Sequence, residues 1–319
     1  MNMEKEFSAQ IPSELAGQRL DQALAVLFAD VTRSQMQQWI KDGRVTLNGR
    51  APRKRDKVKA GDRVVIRVPP PVDAGWRAQA IPLEIVYEDG ELLVINKPPG
   101  LVVHPGAGNP EGTLLNALLN HAPKLAALPR AGIVHRLDKD TSGLMVVAQT
   151  ERARQHLIAQ LQEHSVEREY LAIVNGVMVA GGTIDVPIGR HRTQRTRMAV
   201  SSQGKAAVSH YRVMKKYRAH TLVQVKLESG RTHQIRVHMA HLNYPVVGDP
   251  VYGGRLKIPS GAGERLKDVL RGFKRQALHA LKLSLTHPQT GKRAQWATSV
   301  PEDMSELMEA LAQDAASHQ

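Results

Sequence analysis

The chain contains no cysteine, which excludes disulfides and thiolate-bound metals from the start. Aromatic residues make up only 4%, too few for the broad stacking platform of a sequence-independent single-strand binder. Long apolar runs are also missing: no stretch approaches the roughly 18 residues that a membrane-spanning helix requires. The stretch from Met1 to Phe7 lacks the basic-then-apolar layout of a signal peptide. A soluble, cytoplasmic protein with no membrane partner is therefore expected. Acidic residues are the last shortage, with 30 Asp and Glu against 44 Lys and Arg, a formal charge of +14. A soluble chain this basic most often handles polyanions, nucleic acid before anionic lipid.

The charge is concentrated. Arg44–Lys59 holds seven basic residues against Asp56 alone, and Val186–Arg236 holds twelve against Glu228 alone. Two runs this lopsided point to a track for a phosphate backbone. With so few aromatics, structured RNA or one extruded base at a time fits better than an open single strand.

The 319 residues, 42% of them hydrophobic, suit one large domain or two unequal ones. From Arg19 to Phe28, Leu20, Leu24 and Leu27 recur at helical spacing. Thr32-Arg33-Ser34-Gln35 reads as a capping box for a second helix with Met36, Trp39 and Ile40 on one face, stopped by Gly43. Val45-Thr46-Leu47 alternates like a strand and runs into Asn48-Gly49, a hairpin turn signal; Gly61-Asp62 then feeds a strand from Arg63 to Val68. Residues 69–80, opening on three prolines, read as a linker. Beyond it, Ile85–Ile95 is strand, turn, strand, and helices are expected near Thr113–His121, Arg152–Glu163 and Glu302–Gln313. Ile184–Ile188, Ser209–Lys215 and His220–Leu227 read as strands. Few crossover helices separate the strands, so the class is α+β with a mixed, largely antiparallel central sheet flanked by helices.

Two segments carry candidate chemistry. In His135-Arg136-Leu137-Asp138-Lys139-Asp140-Thr141-Ser142-Gly143, a polar loop lies between two expected buried strands, Ala131–Val134 and Leu144–Val147. Read locally, its small polar residues make a turn. Read chemically, Arg136 and Asp138 are two apart at a strand end and project to one side; a carboxylate kept ionised beside Arg in a cleft is a candidate nucleophile or base. In Gly230-Arg231-Thr232-His233-Gln234-Ile235-Arg236-Val237-His238, Thr232 is a candidate N-cap, with Ile235, Met239 and Leu242 on one helix face. His233, His238 and His241 match no zinc spacing, so no metal is expected. Gly106–Gly112 matches neither phosphate-binding fingerprint, and no nucleotide cofactor is expected.

Gln18–Leu24, Thr32-Arg33-Ser34 and Gly43–Gly49 resemble an S4 domain, an αL-type RNA-binding module. Val94–Pro105, the His135–Gly143 loop, Arg168-Glu169-Tyr170 and Gly230–Arg236 resemble, in order, the motifs of RluA-type pseudouridine synthases. The resemblance implies an S4 domain over residues 15–68, the linker 69–80 and a pseudouridine synthase catalytic domain over 81–319. It implies uridine isomerisation in large-subunit (23S) ribosomal RNA or a pre-50S particle, at the helix 69 hairpin or, as in sibling enzymes with S4 domains, at another site of the same RNA. Isomerisation gains and loses nothing overall, so no cofactor is expected, and the expected state is a monomer. Asp138 would be the catalytic carboxylate, Arg236 its basic partner, Tyr170 and Ile235 the packing on either face of the uracil, and Arg136 the group that fills the vacated space in the RNA. Attack at C1′, attack at C6 and removal of the 2′ proton all remain open. The expected RNA contacts are Arg19, Arg33, Arg44, Arg53, Lys54, Arg55, Lys97, Arg190, Arg192, Arg195, Arg197, Arg231 and His233.

Overall fold

The computed structural model describes residues 5–28, 33–68, 76–106, 108–194 and 197–318. The chain divides into two compact units, Met1–Gly75 and Trp76–Gln319.

In the first unit, β1 (Lys5–Gln10), α1 (Leu20–Leu27), α2 (Arg33–Lys41), β2 (Val45–Leu47) and β3 (Arg63–Val68) follow in order. The strands form an antiparallel sheet in the order β1-β3-β2. Leu20 and Leu24 of α1 share one core with Met36, Trp39 and Ile40 of α2 and with Val45, Val64 and Ile66 of the sheet. Asn48 and Gly49 have the positive φ of a tight turn, 51° and 77°. The strand that pairs with β2 is nevertheless the later β3, with Val45 opposite Ile66. The charged stretch after the turn lacks the apolar alternation that Val64 and Ile66 provide. β1 lies upstream of position 15, where the domain was expected to begin; its only large apolar residue is the exposed Phe7. The predicted Thr32–Gln35 cap lies outside the described residues.

The second unit opens on Trp76, which packs on its core, and Gln79, whose N–H donates to Asn116 O. Residues 76–80 of the expected linker are thus tied to this unit, and 69–75 lie outside the described residues. Its elements are β4 (Glu84–Glu88), β5 (Leu92–Lys97), α3 (Leu114–His121), β6 (Ser142–Ala148), α4 (Glu151–Gln162), β7 (Glu167–Asn175), β8 (Gly182–Asp185), β9 (Ile188–Arg190), β10 (Met198–Val200), β11 (Val208–Lys216), β12 (His220–Leu227), α5 (Gln234–His241), α6 (Glu264–Gly272), β13 (Leu278–Thr286), β14 (Arg293–Ala297) and α7 (Glu302–Ala316). The main sheet runs β4-β5-β6-β13-β7-β12-β11-β8, with β14 also on β13. Among the described strands of this sheet, only β6 and β13 pair in parallel. The largely antiparallel α+β architecture agrees with the sequence reading. One expected strand, Ile184–Ile188, is split between β8 and β9 by Pro187, which has no N–H to give a ladder.

β5 and β6 are apolar at consecutive positions because both their faces are covered. Leu93, Ile95, Met145 and Val147 join the large core shared with α3, α5, α6 and α7, whereas Leu92, Val94, Leu144 and Val146 pack with Ala153 and Leu157 of α4. At the entry to β6, Gly143 has φ 113°, and a Cβ there would stand 2.3 Å from Ala280 O. Gly143→Ala is expected to destabilise the unit by roughly 3 kcal/mol or more, as strained and overpacked core positions do. Urea unfolding would check this, and a loss below about 1 kcal/mol would refute the close approach of β6 to β13.

Candidate active site

The loop from Ile133 to Thr141 leads directly into β6. The apolar run before it is not a strand, as the sequence suggested, but a short turn over Pro129–Gly132, with φ of 54°, 51° and 77° at Arg130, Ala131 and Gly132. Ile133 keeps a single bridge to Val147. Arg136 and Asp138 therefore reach one cleft through loop geometry, not strand alternation. The loop is tied down along its length. His135 Nε2 accepts Val146 N–H at 2.9 Å, and Thr141 N–H donates to Asp138 O at 3.1 Å. Gln276 donates to Thr141 Oγ1 and Arg275 to Asp140 O, while Ser142 Oγ meets His279 Nδ1. Burial, with Arg168 adding to it, draws the His135 imidazole down to about 3, so the ring is neutral and free to accept.

α5 supplies the cation. Arg236 is buried, and its Nη1 donates to Asp138 Oδ2 at 2.9 Å. Its other edge grips Asp249 in a bidentate pair, Nε to Oδ2 at 2.6 Å and Nη2 to Oδ1 at 2.9 Å. Burial works against the guanidinium charge, but Asp249 and then Asp138 raise its pKa above the ordinary arginine value. Burial likewise works against the Asp249 carboxylate; Arg236 and the N–H groups of Tyr252 and Val251 hold its pKa below the usual range. Asp249 carries this arrangement and was given no role from the sequence. Gly248-Asp249-Pro250 announces only a turn, and the side chain does accept from the N–H groups two and three residues on. Nothing local announces Arg236. Thr232 is not the N-cap of α5: that place is taken by His233 in the left-handed conformation.

Around Asp138 lies a cleft of about 600 Å³. Tyr170 of β7, Leu227 of β12, Leu278 of β13 and Ile235 of α5 form its apolar walls, and Arg136, Arg231 and His233 line it too. His104, Arg130 and Arg168 also face it, none of them expected. Tyr170 is buried, which raises its phenol pKa; Arg168 opposes that shift and Asp138 adds to it, so the ring enters the cleft as a neutral platform. His104 is drawn down to about 4 by burial and by Arg130 and Arg136. His238 is locked between Ser209 Oγ and Val186 O, and no metal-holding group of side chains occurs among the described residues.

The expected RNA contacts divide. Arg53, Lys54, Arg55 and Arg192 are exposed, as is Arg190 at the end of β9. Arg44 is half-buried, Arg195 lies outside the described residues, and so does the side chain of Arg33. Arg19 grips the buried Asp21, which also takes Gln37 of α2. Arg197 lies over the Tyr252 ring at 5.1 Å, and Arg231 donates to Ala206 O. Lys97 corrects the reading outright. It is fully buried, and its ammonium donates to the carbonyls of Pro98, Leu101 and Lys139 at 2.7, 3.0 and 2.9 Å. It is a strut beneath the Asp138 loop, out of reach of a phosphate.

This chain matches the RNA pseudouridylate synthase family over residues 91–241 and the S4 domain over 18–64. The Ribosomal large subunit pseudouridine synthase D of Pseudomonas aeruginosa is 59% identical over 96% of both chains. The proteins of that name from Yersinia pestis and Escherichia coli K12 are 55% and 53% identical over 98% of this chain and 97% and 96% of theirs. Among solved structures, human RNA Pseudouridylate Synthase Domain Containing 4 covers 72% of this chain and 93% of its own, at 27% identity and a TM-score of 0.58. The chain belongs to the RNA pseudouridylate synthase family and carries an S4 domain.

Burial draws the Lys97 ammonium down to about 7, with Asp140 and Asp138 opposing. The unfolded chain then keeps a proton that the folded chain gives up, so the cost of burying this charge is relieved as pH rises from about 7 towards 10. Lys97→Met should remove that gain, which amounts to up to about 1.4 kcal/mol per pH unit. It should also lower kcat by loosening the loop while the salt dependence of RNA binding stays unchanged. A shallower salt dependence in this variant would restore Lys97 as a phosphate contact.

Proposed function

We propose that this chain isomerises uridine to pseudouridine in large-subunit ribosomal RNA, at the helix 69 hairpin, with Asp138 as the catalytic carboxylate. The observation that carries the reading is the pairing of Asp138 with the buried Arg236 inside a cleft walled by Tyr170 and Ile235. The ribosomal substrate is supported by the relatives named for the ribosomal large subunit, which align with nearly the whole chain.

The reaction breaks the N1–C1′ bond and forms a C5–C1′ bond; a proton leaves C5 and one is gained at N1. Atoms and charge balance without an added reactant. A carboxylate stabilises or traps positive charge at a glycosidic carbon. Arg236 holds one oxygen of Asp138 and fixes its direction. Because Asp249 anchors the guanidinium from behind, the cation cannot follow a moving carboxylate, and the geometry is set before substrate arrives. Tyr170 and Ile235 offer faces to a planar base. Extruding that base costs a few kcal/mol, and Arg136, exposed at the cleft and without an ion pair among the described residues, is the group to occupy the gap it leaves. The enzyme is expected to act as a monomer.

Asp138→Asn should abolish pseudouridine formation and leave RNA affinity within about twofold, since the exchange is isosteric and outside the phosphate track. Mass-spectrometric mapping of ribosomal RNA from cells with and without the variant is the measurement; normal modification by Asp138→Asn would overturn the assignment, and loss at another 23S site would replace the hairpin. Replacing Arg53, Lys54 and Arg55 together with Ala should reduce the slope of log affinity against log salt by about 2–3. Titration of RNA binding at several salt concentrations reads that change.

A further inference from the structure

His233 lies where an RNA contact was expected, yet its ring faces protein on both sides. It caps α5 with φ 57°, a conformation uncommon outside glycine and asparagine, and its carbonyl accepts Val237 N–H. Its Nδ1 meets Tyr252 Oη at 2.9 Å, the two rings standing edge to face at 75°. Its Nε2 is 3.8 Å from Asp138 Oδ1, while Arg236 holds the other oxygen, Oδ2.

The hydrogen bonds of Tyr252 decide where the imidazole proton resides. The phenol has one proton and two acceptor sites, and one acceptor site takes Met198 N–H at 2.9 Å. Donation of the phenolic proton to His233 Nδ1 satisfies both partners and leaves the imidazole proton on Nε2, directed at Asp138. The opposite tautomer strands the phenolic proton and turns a lone pair towards a carboxylate. An imidazolium would be a second cation beside Arg236. Burial, Arg236 and Arg136 oppose it, Asp138 and Asp249 favour it, and the balance lies below the ordinary histidine value.

We infer that His233 is a positioning residue for Asp138: Tyr252 holds it as the Nε2–H tautomer, and it orients Oδ1, the oxygen that Arg236 leaves free, as the one that meets the nucleoside. This rests on Asp138 being the catalytic carboxylate. At 3.8 Å the N–H is longer than a hydrogen bond. Oδ1 therefore keeps its lone pairs for substrate, while the nearby donor disfavours rotation of the carboxylate. A neutral donor does this without a second positive charge that would weaken the oxygen as a nucleophile or base. Selection of one carboxylate oxygen thus comes from an unequal pair of neighbours, a bonded cation and an unbonded neutral N–H.

The test uses the full chain labelled with 15N-histidine, with His233→Gln to assign the signal. Two-bond proton–nitrogen spectra at pH 7 should show His233 neutral, with its proton on Nε2, and Tyr252→Phe should abolish that preference. His233→Ala should lower kcat roughly 10- to 100-fold, the scale of a small misplacement of a reacting group, with RNA affinity and its salt dependence unchanged. His233→Gln, which keeps a neutral donor, should recover most of the rate. An Nδ1–H tautomer or an imidazolium at pH 7 overturns the inference. So does a His233→Ala variant with normal kcat and a salt slope shallower by about one, which is the signature of a phosphate contact. Asp138→Asn, measured in parallel, separates the two levels: its inactivity beside an unaffected His233→Ala defeats only the role of His233, whereas its full activity removes the catalytic assignment beneath it.

Discussion

One guanidinium organises the second unit. Arg236 is buried between two carboxylates that are 111 residues apart in the chain, Asp138 ahead of β6 and Asp249 after α5. Neither acid alone would justify the cost of desolvating a cation. Together they engage three of its donors, and removal of Arg236 would strand both carboxylates, at a cost of about 3–5 kcal/mol for a broken buried pair. The loop, the helix and the Gly248–Tyr252 turn are therefore tied together through this guanidinium as well as through the core that Leu137, Ile235 and Val247 share. Asp249 takes two of the donors of Arg236 and Asp138 takes one. The asymmetry suits their tasks, since Asp249 is satisfied as an anchor and Asp138 keeps an oxygen to spare.

Much of the architecture was legible from segments that carry their own period or cap. α3 and α4 lie within a residue of expectation, and β11 and β12 fall where apolar alternation placed them. α6, β13 and β14 were missed all the same: Leu266, Val269 and Leu270 do make an apolar stripe on α6, β13 is buried on both faces, and β14 is a short strand that alternates at the edge. In the site, the resemblance named Asp138, Arg236, Tyr170 and Ile235, and the fold gathers all four around one cleft. What the residues could not disclose was direction. Lys97 and Arg19 are basic side chains in basic company, yet one is enclosed by carbonyls and the other is spent on Asp21. Charge is a property of a residue; availability is a property of the fold.

The electrostatic layout separates holding from reacting. The cations of the first unit at Arg53, Lys54 and Arg55 are exposed and project into solvent, where attraction to RNA is long-ranged and screened by salt. The cleft is lined by Arg130, Arg136, Arg168 and Arg231 as well as by the paired Arg236 and Asp138, and neighbouring imidazoles such as His104 and His135 are kept neutral by burial. Those two rings keep one protonation state across the physiological range, whereas Lys97 beneath the loop, drawn down to about 7, changes state within it.

The single parallel pairing in the sheet has a consequence for how the protein comes into being. β6 lies against β13, with Ser142 opposite His279, and the groups that clasp the loop from that side, Arg275, Gln276 and His279, belong to the same late stretch. Contacts between segments so distant in the chain form slowly and after local structure. During synthesis, which proceeds from the N-terminus, the RNA-binding module at residues 18–64 is complete while most of the loop's clasp is still unmade. The nascent chain acquires the means to hold RNA well before the means to alter it.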